Sequence, residues 1–340
     1  MTTHAPPCST GPGNTAVVTF ADPRNGEETY VTRTSAPGLP PAEYQVFMEL
    51  RRLGIRGEDV KALHTDLGPS ELPGGYVRTF VSGAFPNAEL SCAQPYGPTA
   101  DERATAVEAL VTQAATMSQL VGQQPAPRPV RAPVPVGVPA AWPVPDQVLG
   151  GHLAQVFGPQ GVRRYDTRHT RLPEPAQSTL GWAGLPADIP FFFTADTPEK
   201  PPPGGFLTDV ATYMRAVGTS ASDGALGVLG GHVRIGTDGA CAITVQCDAP
   251  EFMPTKPGQV WAIPPRDAMG LRVNASLSAF VRSLMALVVA RQRMVGLDPF
   301  AAGAAVAGLQ HELATIDPTA FDDPGNWWSV IVEQMWHGLF

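Results

Sequence analysis

The hydrophobic pattern of the first third of the chain switches repeatedly between strand and helix periods. Residues 15–20 read as a short apolar strand and 29–34 as the returning strand, and Asn25-Gly26 between them carries the signature of a type I′ hairpin turn. Pro41 opens a helix, since proline suits the first turn, and Val46, Phe47, Leu50 and Leu53 then recur at helical spacing. Residues 60–64 read as a third strand, 73–84 as a second helix and 90–94 as a fourth strand. Residues 101–120 read as a long helix with Ala104, Val107, Val111, Ala114 and Met117 or Leu120 on one stripe. The order β-β-α-β-α-β-α predicts an α/β fold, a mixed sheet covered by helices.

The second half is less regular. Residues 151–157 suggest a short helix, and Phe191-Phe192-Phe193 a buried strand. Residues 233–235, 241–247 and 259–263 read as strands, with Thr237-Asp238-Gly239 as the clearest turn. Gly-rich residues 224–231 read as a turn. Leu277, Phe280, Val281, Leu284, Leu287 and Val288 define a helix. A last helix is expected to begin near Asp322-Asp323-Pro324 and to carry Trp328, Ile331, Val332, Met335 and Trp336. Strands followed by helices predict an α+β fold.

Between these halves stand eight prolines, at 125, 127, 129, 133, 135, 139, 143 and 145, with almost no charge. Such a stretch excludes a helix or central strand and reads as an extended spacer, onto whose end Trp142 is a candidate docking residue. The expected organisation is an irregular or disordered start at 1–13, a first domain at 14–122, a Pro-rich linker at 123–149 and a second domain at 150–340. With 43% hydrophobic residues in 340, both domains can bury a core.

The net charge of −8 argues against general nucleic-acid binding, which needs a basic face. The polar N-terminus has no signal-peptide pattern. The longest apolar run, residues 284–290, falls short of the about 20 needed to span a bilayer. A cytoplasmic protein without membrane association is expected. Cys8, Cys92, Cys241 and Cys247 show no metal-binding spacing, and reduced thiols are expected.

Residues Pro41-Ala42-Glu43, His64-Thr65-Asp66-Leu67-Gly68-Pro69 and Leu72-Pro73-Gly74-Gly75-Tyr76, extended by Asn87, Tyr96-Gly97 and Arg103, resemble the nucleic acid/nucleotide deaminases of bacterial polymorphic toxin systems. The resemblance covers about residues 14–122 and implies a cytidine-deaminase-like fold. In such enzymes a zinc ion acidifies a water, and a Glu beside the first ligand shuttles protons. The resemblance puts the His- or Cys-type ligand at Pro41 and the two Cys-type ligands at Ser70 and Val77, and the shuttle at Glu43. Pro and Val offer no side-chain donor, and a Ser hydroxyl is a poor zinc ligand. The first domain is therefore expected to be catalytically dead, with no metal or other cofactor.

Phe192-Phe193-Thr194-Ala195-Asp196, Arg234-Ile235-Gly236-Thr237-Asp238-Gly239, Val273-Asn274-Ala275-Ser276-Leu277, Phe280-Val281 and Trp327-Trp328-Ser329 resemble the SUKH immunity-protein family over about residues 150–340. A longer insert at 248–258 departs from it. The resemblance implies a central antiparallel sheet and a protein-binding role, the family's partners being toxin domains. Asp196, Asp238 and Asp248 are expected in turns or caps, and His152, His169 and His232 form no ligand pattern. Trp327 and Trp328 are adjacent, so they cannot share one helix face; at least one is a candidate exposed binding anchor. The expected function is a protein-binding immunity or conflict-system protein joining a pseudo-deaminase to a SUKH-like recognition domain, with a toxin domain as partner. The alternatives are a residual deaminase using Glu43 and His64, and a structural subunit of a larger or self-assembled homo-oligomeric complex.

Overall fold

The computed structural model describes residues 7–125, 128–168, 170–250, 255–266 and 268–340. The first six residues of the expected irregular start, Pro127 of the spacer, His169 and residues 251–254 of the insert lie outside the described residues. The chain forms two compact units, Met1–Pro133 with Ala290–Leu309 and Ile331–Phe340, and Val134–Val289 with Gln310–Val330.

The first unit contains β1 (Thr15–Ala21), β2 (Glu28–Thr34), α1 (Ala42–Arg52), β3 (Val60–Leu67), α2 (Val77–Ala84), β4 (Glu89–Gln94) and α3 (Ala100–Leu120). The sheet runs β2-β1-β3-β4 and is mixed: β1 is antiparallel to β2 and β3, and β3 is parallel to β4. Ala16, Val18 and Phe20 of β1 alternate inward, where they meet Leu63, Val46 and Leu50 of α1, and Val81 of α2. Thr99 caps α3 in a reciprocal box with Glu102. Ala106, Val107, Leu110 and Val111 then pack on Leu67 and Tyr96.

Two expectations for this unit need correction. The β1–β2 ladder ends at Ala21↔Glu28, so residues 22–27 make a wider loop than a type I′ turn. Asp22 organises it by accepting the Arg24 and Gly26 amides. Helix α2 starts at Val77 rather than 73, because Gly74, Gly75 and Tyr76 all have positive φ. Residues 7–13 form no helix or strand, and within this irregular start Ser9 and Val130 exchange backbone hydrogen bonds and Thr10 donates to Pro299 O.

The second unit begins its regular structure at α4 (Asp146–Phe157), inside the expected linker. Gly150 and Gly151 disguise this helix, while Pro145 occupies the position before its first turn. There follow β5 (Val162–Arg163), α5 (Glu174–Ser178) leading into a π turn at Thr179–Ala183, β6 (Leu185–Pro186), β7 (Asp188–Ile189) and β8 (Phe193–Ala195). Next come α6 (Val210–Val217), α7 (Asp223–Leu229), β9 (His232–Thr237), β10 (Ala242–Gln246), β11 (Val260–Ile263) and β12 (Leu271–Asn274). The antiparallel sheet runs β12-β11-β10-β9-β8-β7. Val210, Met214, Leu226 and Leu229 of α6 and α7 pack on Ala242 and Ile263. The Gly-rich segment expected as a turn is α7, whose start is fixed by the Ser222 side chain accepting from Ala225 N. Trp142 does not dock and is 91% exposed.

The chain closes with α8 (Leu277–Met294), α9 (Pro299–Ile316) and α10 (Trp327–Trp336). Helix α9 escapes the pattern reading because small apolar residues occur on every side and no polar stripe marks its period. Helix α10 starts later than Asp322, after a turn in which Asp323 accepts from Gly325 N.

Candidate functional site

Pro41, Glu43, Ser70 and Val77 line one cavity in the first unit. The local sequence explains how. Pro41 fixes the entry to α1, and Glu43 lies in that helix's first turn. Ser70 follows the end of β3, and Val77 is the first residue of α2. The Tyr44 hydroxyl donates to Gly75 O at 2.7 Å and ties α1 to the approach to α2.

Glu43 is 2% exposed. Asn14 Nδ2 donates to its Oε1 at 2.8 Å, and Asn14 Oδ1 accepts from Leu67 N at 2.8 Å. Asn14, which the sequence reading did not single out, thus pins Glu43 to the end of β3. Burial pushes the Glu43 carboxyl up to about 7, with the hydrogen bonds opposing it. A group titrating there suits general acid–base work, but the cavity is about 20 Å³. That is room for about one water, and a pyrimidine or purine ring does not enter it.

The cavity does not fit the zinc that the resemblance implies. Its side-chain polar groups come from Asn14, Glu43, Ser70, Tyr96 and Gln334. None is the His or Cys that holds most protein zinc, and Glu43 is a single carboxylate. Among the described residues no group of three His, Cys, Asp or Glu could hold a metal ion. His64 does not supply the missing donor. Leu63, Thr65 and Leu67 of β3 are buried, while His64 points to the opposite, exposed face, with Nδ1 3.0 Å from Ser91 Oγ. The pairing of Glu43 with His64 expected for a residual deaminase is therefore not formed.

The other wall of the cavity comes from Gln334, Leu339 and Phe340. Nothing local in the sequence signals them, because they lie hundreds of positions from α1 and α2.

In the second unit, Trp327 and Trp328 are both fully buried, which corrects their reading as binding anchors. Their rings meet edge to face, with centroids 4.8 Å apart. Trp327 Nε1 donates to Asp238 Oδ2 and Trp328 Nε1 to Asn274 Oδ1, each at 2.9 Å. The helix is covered on both sides, so adjacency does not force either indole outward. Asp238 also accepts from Cys241 N in its turn. Asp196 is no turn residue: it forms a bidentate buried pair with Arg234, whose guanidinium stacks 4.2 Å from the Tyr213 ring centre. Asp248 pairs with Arg171. Two indoles of this unit are exposed, Trp142 at 91% and Trp182 at 58%, the latter on the π turn with its carbonyl accepting from Arg164 Nε at 2.9 Å.

Comparison with known families gives two matches. A model described as SUKH-4 immunity protein matches residues 148–334. The chain belongs to the SUKH-4 immunity protein family. A model described as Xanthomonas-like deaminase matches residues 11–113, a span containing Pro41, Glu43, Ser70 and Val77. Searches among curated proteins and among solved structures find no match. The SUKH-4 match takes in the whole six-stranded sheet, and an immunity-type, protein-binding role follows for this SUKH-4 protein. No helix among its described residues is long and apolar enough to cross a membrane.

Proposed function

We propose that this SUKH-4 protein neutralises a toxin domain by binding it through the second unit, and that the deaminase-like unit is catalytically inert. The observation that carries the inert reading is the cavity wall: the three positions where the deaminase resemblance puts metal ligands are Pro41, Ser70 and Val77, around about 20 Å³. The SUKH-4 match over 148–334 supports the binding role. A net charge of −8 favours a basic partner, as nucleic-acid-targeting toxins tend to be, by electrostatic complementarity.

Two assays test this. The purified chain is incubated with nucleobases, nucleosides and single-stranded DNA and RNA, and its zinc content is measured. Deamination that Glu43→Gln abolishes, together with stoichiometric zinc, overturns the inert reading. Titration calorimetry against toxin domains encoded beside the gene tests the binding role. Saturable one-to-one binding that suppresses the toxin's activity is expected, and failure to bind any of them counts against it.

A further inference from the structure

Residues 331–340 belong to the first unit, which donates hydrogen bonds to their main-chain carbonyls at several points. Gly11 N donates to Trp336 O at 2.8 Å, Gly13 N to His337 O at 3.1 Å, and Ser35 Oγ to Gly338 O at 2.9 Å. The side chains are gripped as closely. Arg103 forms a bidentate pair with Glu333, at 2.6 and 3.2 Å, with both side chains largely out of water. Gln334 Nε2 donates to Pro73 O at 2.6 Å, and Tyr96 Oη lies 2.6 Å from His337 Nδ1.

The apolar end of the segment enters the cleft. Leu339 packs against the cluster of Leu67, Tyr96, Leu110 and Val111. Phe340 is 1% exposed, and its ring lies against Gly74. A Cβ on Gly74 would come within 2.5 Å of Phe340 Cζ, and the φ of +97° there also demands glycine. Pro41 and Val77, useless to a metal, give this cleft an apolar wall beside Leu339 and Phe340.

We propose that the degenerate deaminase cleft is a peptide-binding socket whose occupant is residues 331–340 of the same chain. The socket reads Glu333 through Arg103, His337 through Tyr96, and Leu339-Phe340 through the apolar slot at Gly74. The same replacements that deprive positions 41 and 77 of metal donors make the slot complementary to an aromatic ring. This stands on the geometry of the first unit and is independent of which toxin the second unit binds.

The test is chemical access to the cleft in the full chain. In Ser70→Cys, the introduced thiol should react with iodoacetamide at least tenfold more slowly than the exposed Cys92. Adding Phe340→Ala should speed it at least tenfold, while Cys241, buried in the second unit, stays unmodified. Amide protection of residues 60–67 distinguishes an opened cleft from an unfolded unit. If that protection is lost, Phe340→Leu, which keeps an apolar side chain, replaces Phe340→Ala in the same comparison. A smaller rise, or an introduced thiol as reactive as Cys92 before any change at Phe340, overturns the proposal.

Discussion

Glu43→Gln should stabilise the first unit at alkaline pH and leave it nearly unchanged in acid. Burial lifts the Glu43 carboxyl from its ordinary 4.5 to about 7. Between those values the folded state holds a proton that the unfolded state has released. The stability of the first unit therefore falls as pH rises through this window, by about 1.4 kcal/mol per pH unit. By pH 8 the accumulated loss is about 3 kcal/mol, the cost of ionising a buried carboxyl. Glutamine keeps an Oε1 that can accept from Asn14 but never ionises, so its variant escapes this loss. His337, held well below its ordinary range by burial, costs stability as pH falls, but it does so in both proteins and cancels in the difference. Urea equilibrium at pH 5 to 8, followed by a hydrogen-exchange pulse at fixed pH, reads the first unit alone through peptides covering residues 60–67. A difference between the two proteins that stays constant from pH 5 to pH 8 would refute the reasoning.

Other outcomes follow from the second unit. Arg234→Met strands Asp196, 7% exposed at its side chain, and should destabilise this unit by about 3–5 kcal/mol, read by exchange in residues 232–246. Burial pushes His232 down to about 4, so it folds neutral and this unit should lose stability as pH falls from 6.5 toward 4. His232→Asn should remove that loss, of about 3 kcal/mol, in the same exchange experiment. If the proposed toxin domain binds this unit, Trp182→Ala should weaken that binding at least tenfold in calorimetry with no change in exchange, since interface hot spots are enriched in Trp. Equal affinities would remove Trp182 from the interface.

Much of the first unit is legible because its signals are local. The apolar repeat of α1 and the strand read at 15–20 need no distant partner to be recognised, whereas the Thr99–Glu102 box that starts α3 is not singled out. Pro41, Glu43, Ser70 and Val77 are singled out by the deaminase resemblance and come together because each sits near a strand or helix end, although the pattern puts the start of α2 at 73 rather than 77. What was illegible depends on distance. Phe340 and Gly74 are meaningful only as a pair, and nothing near either announces the other. Trp327 and Trp328 looked like anchors because periodicity gives one buried face per helix. It cannot register that Asp238 and Asn274, far off in sequence, receive both indoles. Helix α9 failed for a different reason: a helix apolar all round has no period to detect.

The closed cleft and the perturbed carboxyl have a common cause that a double-mutant cycle can expose. Glu43 is neutral at pH 6 because water is excluded around it, and Phe340 and Leu339 form part of the wall that excludes it. In Phe340→Ala the cleft should admit solvent, and the desolvation that raises Glu43 should relax. Its titration then moves back toward 4.5, and the pH-dependent advantage of Gln over Glu at position 43 should shrink from about 3 kcal/mol to about 1 kcal/mol or less. The cycle uses Glu43→Gln with and without Phe340→Ala, each followed from pH 5 to 8 through residues 60–67. Removing the ring costs stability of its own, about 3–5 kcal/mol, but that loss is common to both members of the pair and drops out of the slope. Identical pH slopes in the two backgrounds would mean that the ring does not keep the carboxyl dry. The burial of Glu43 would then have to come from β1, α1 and α2 alone.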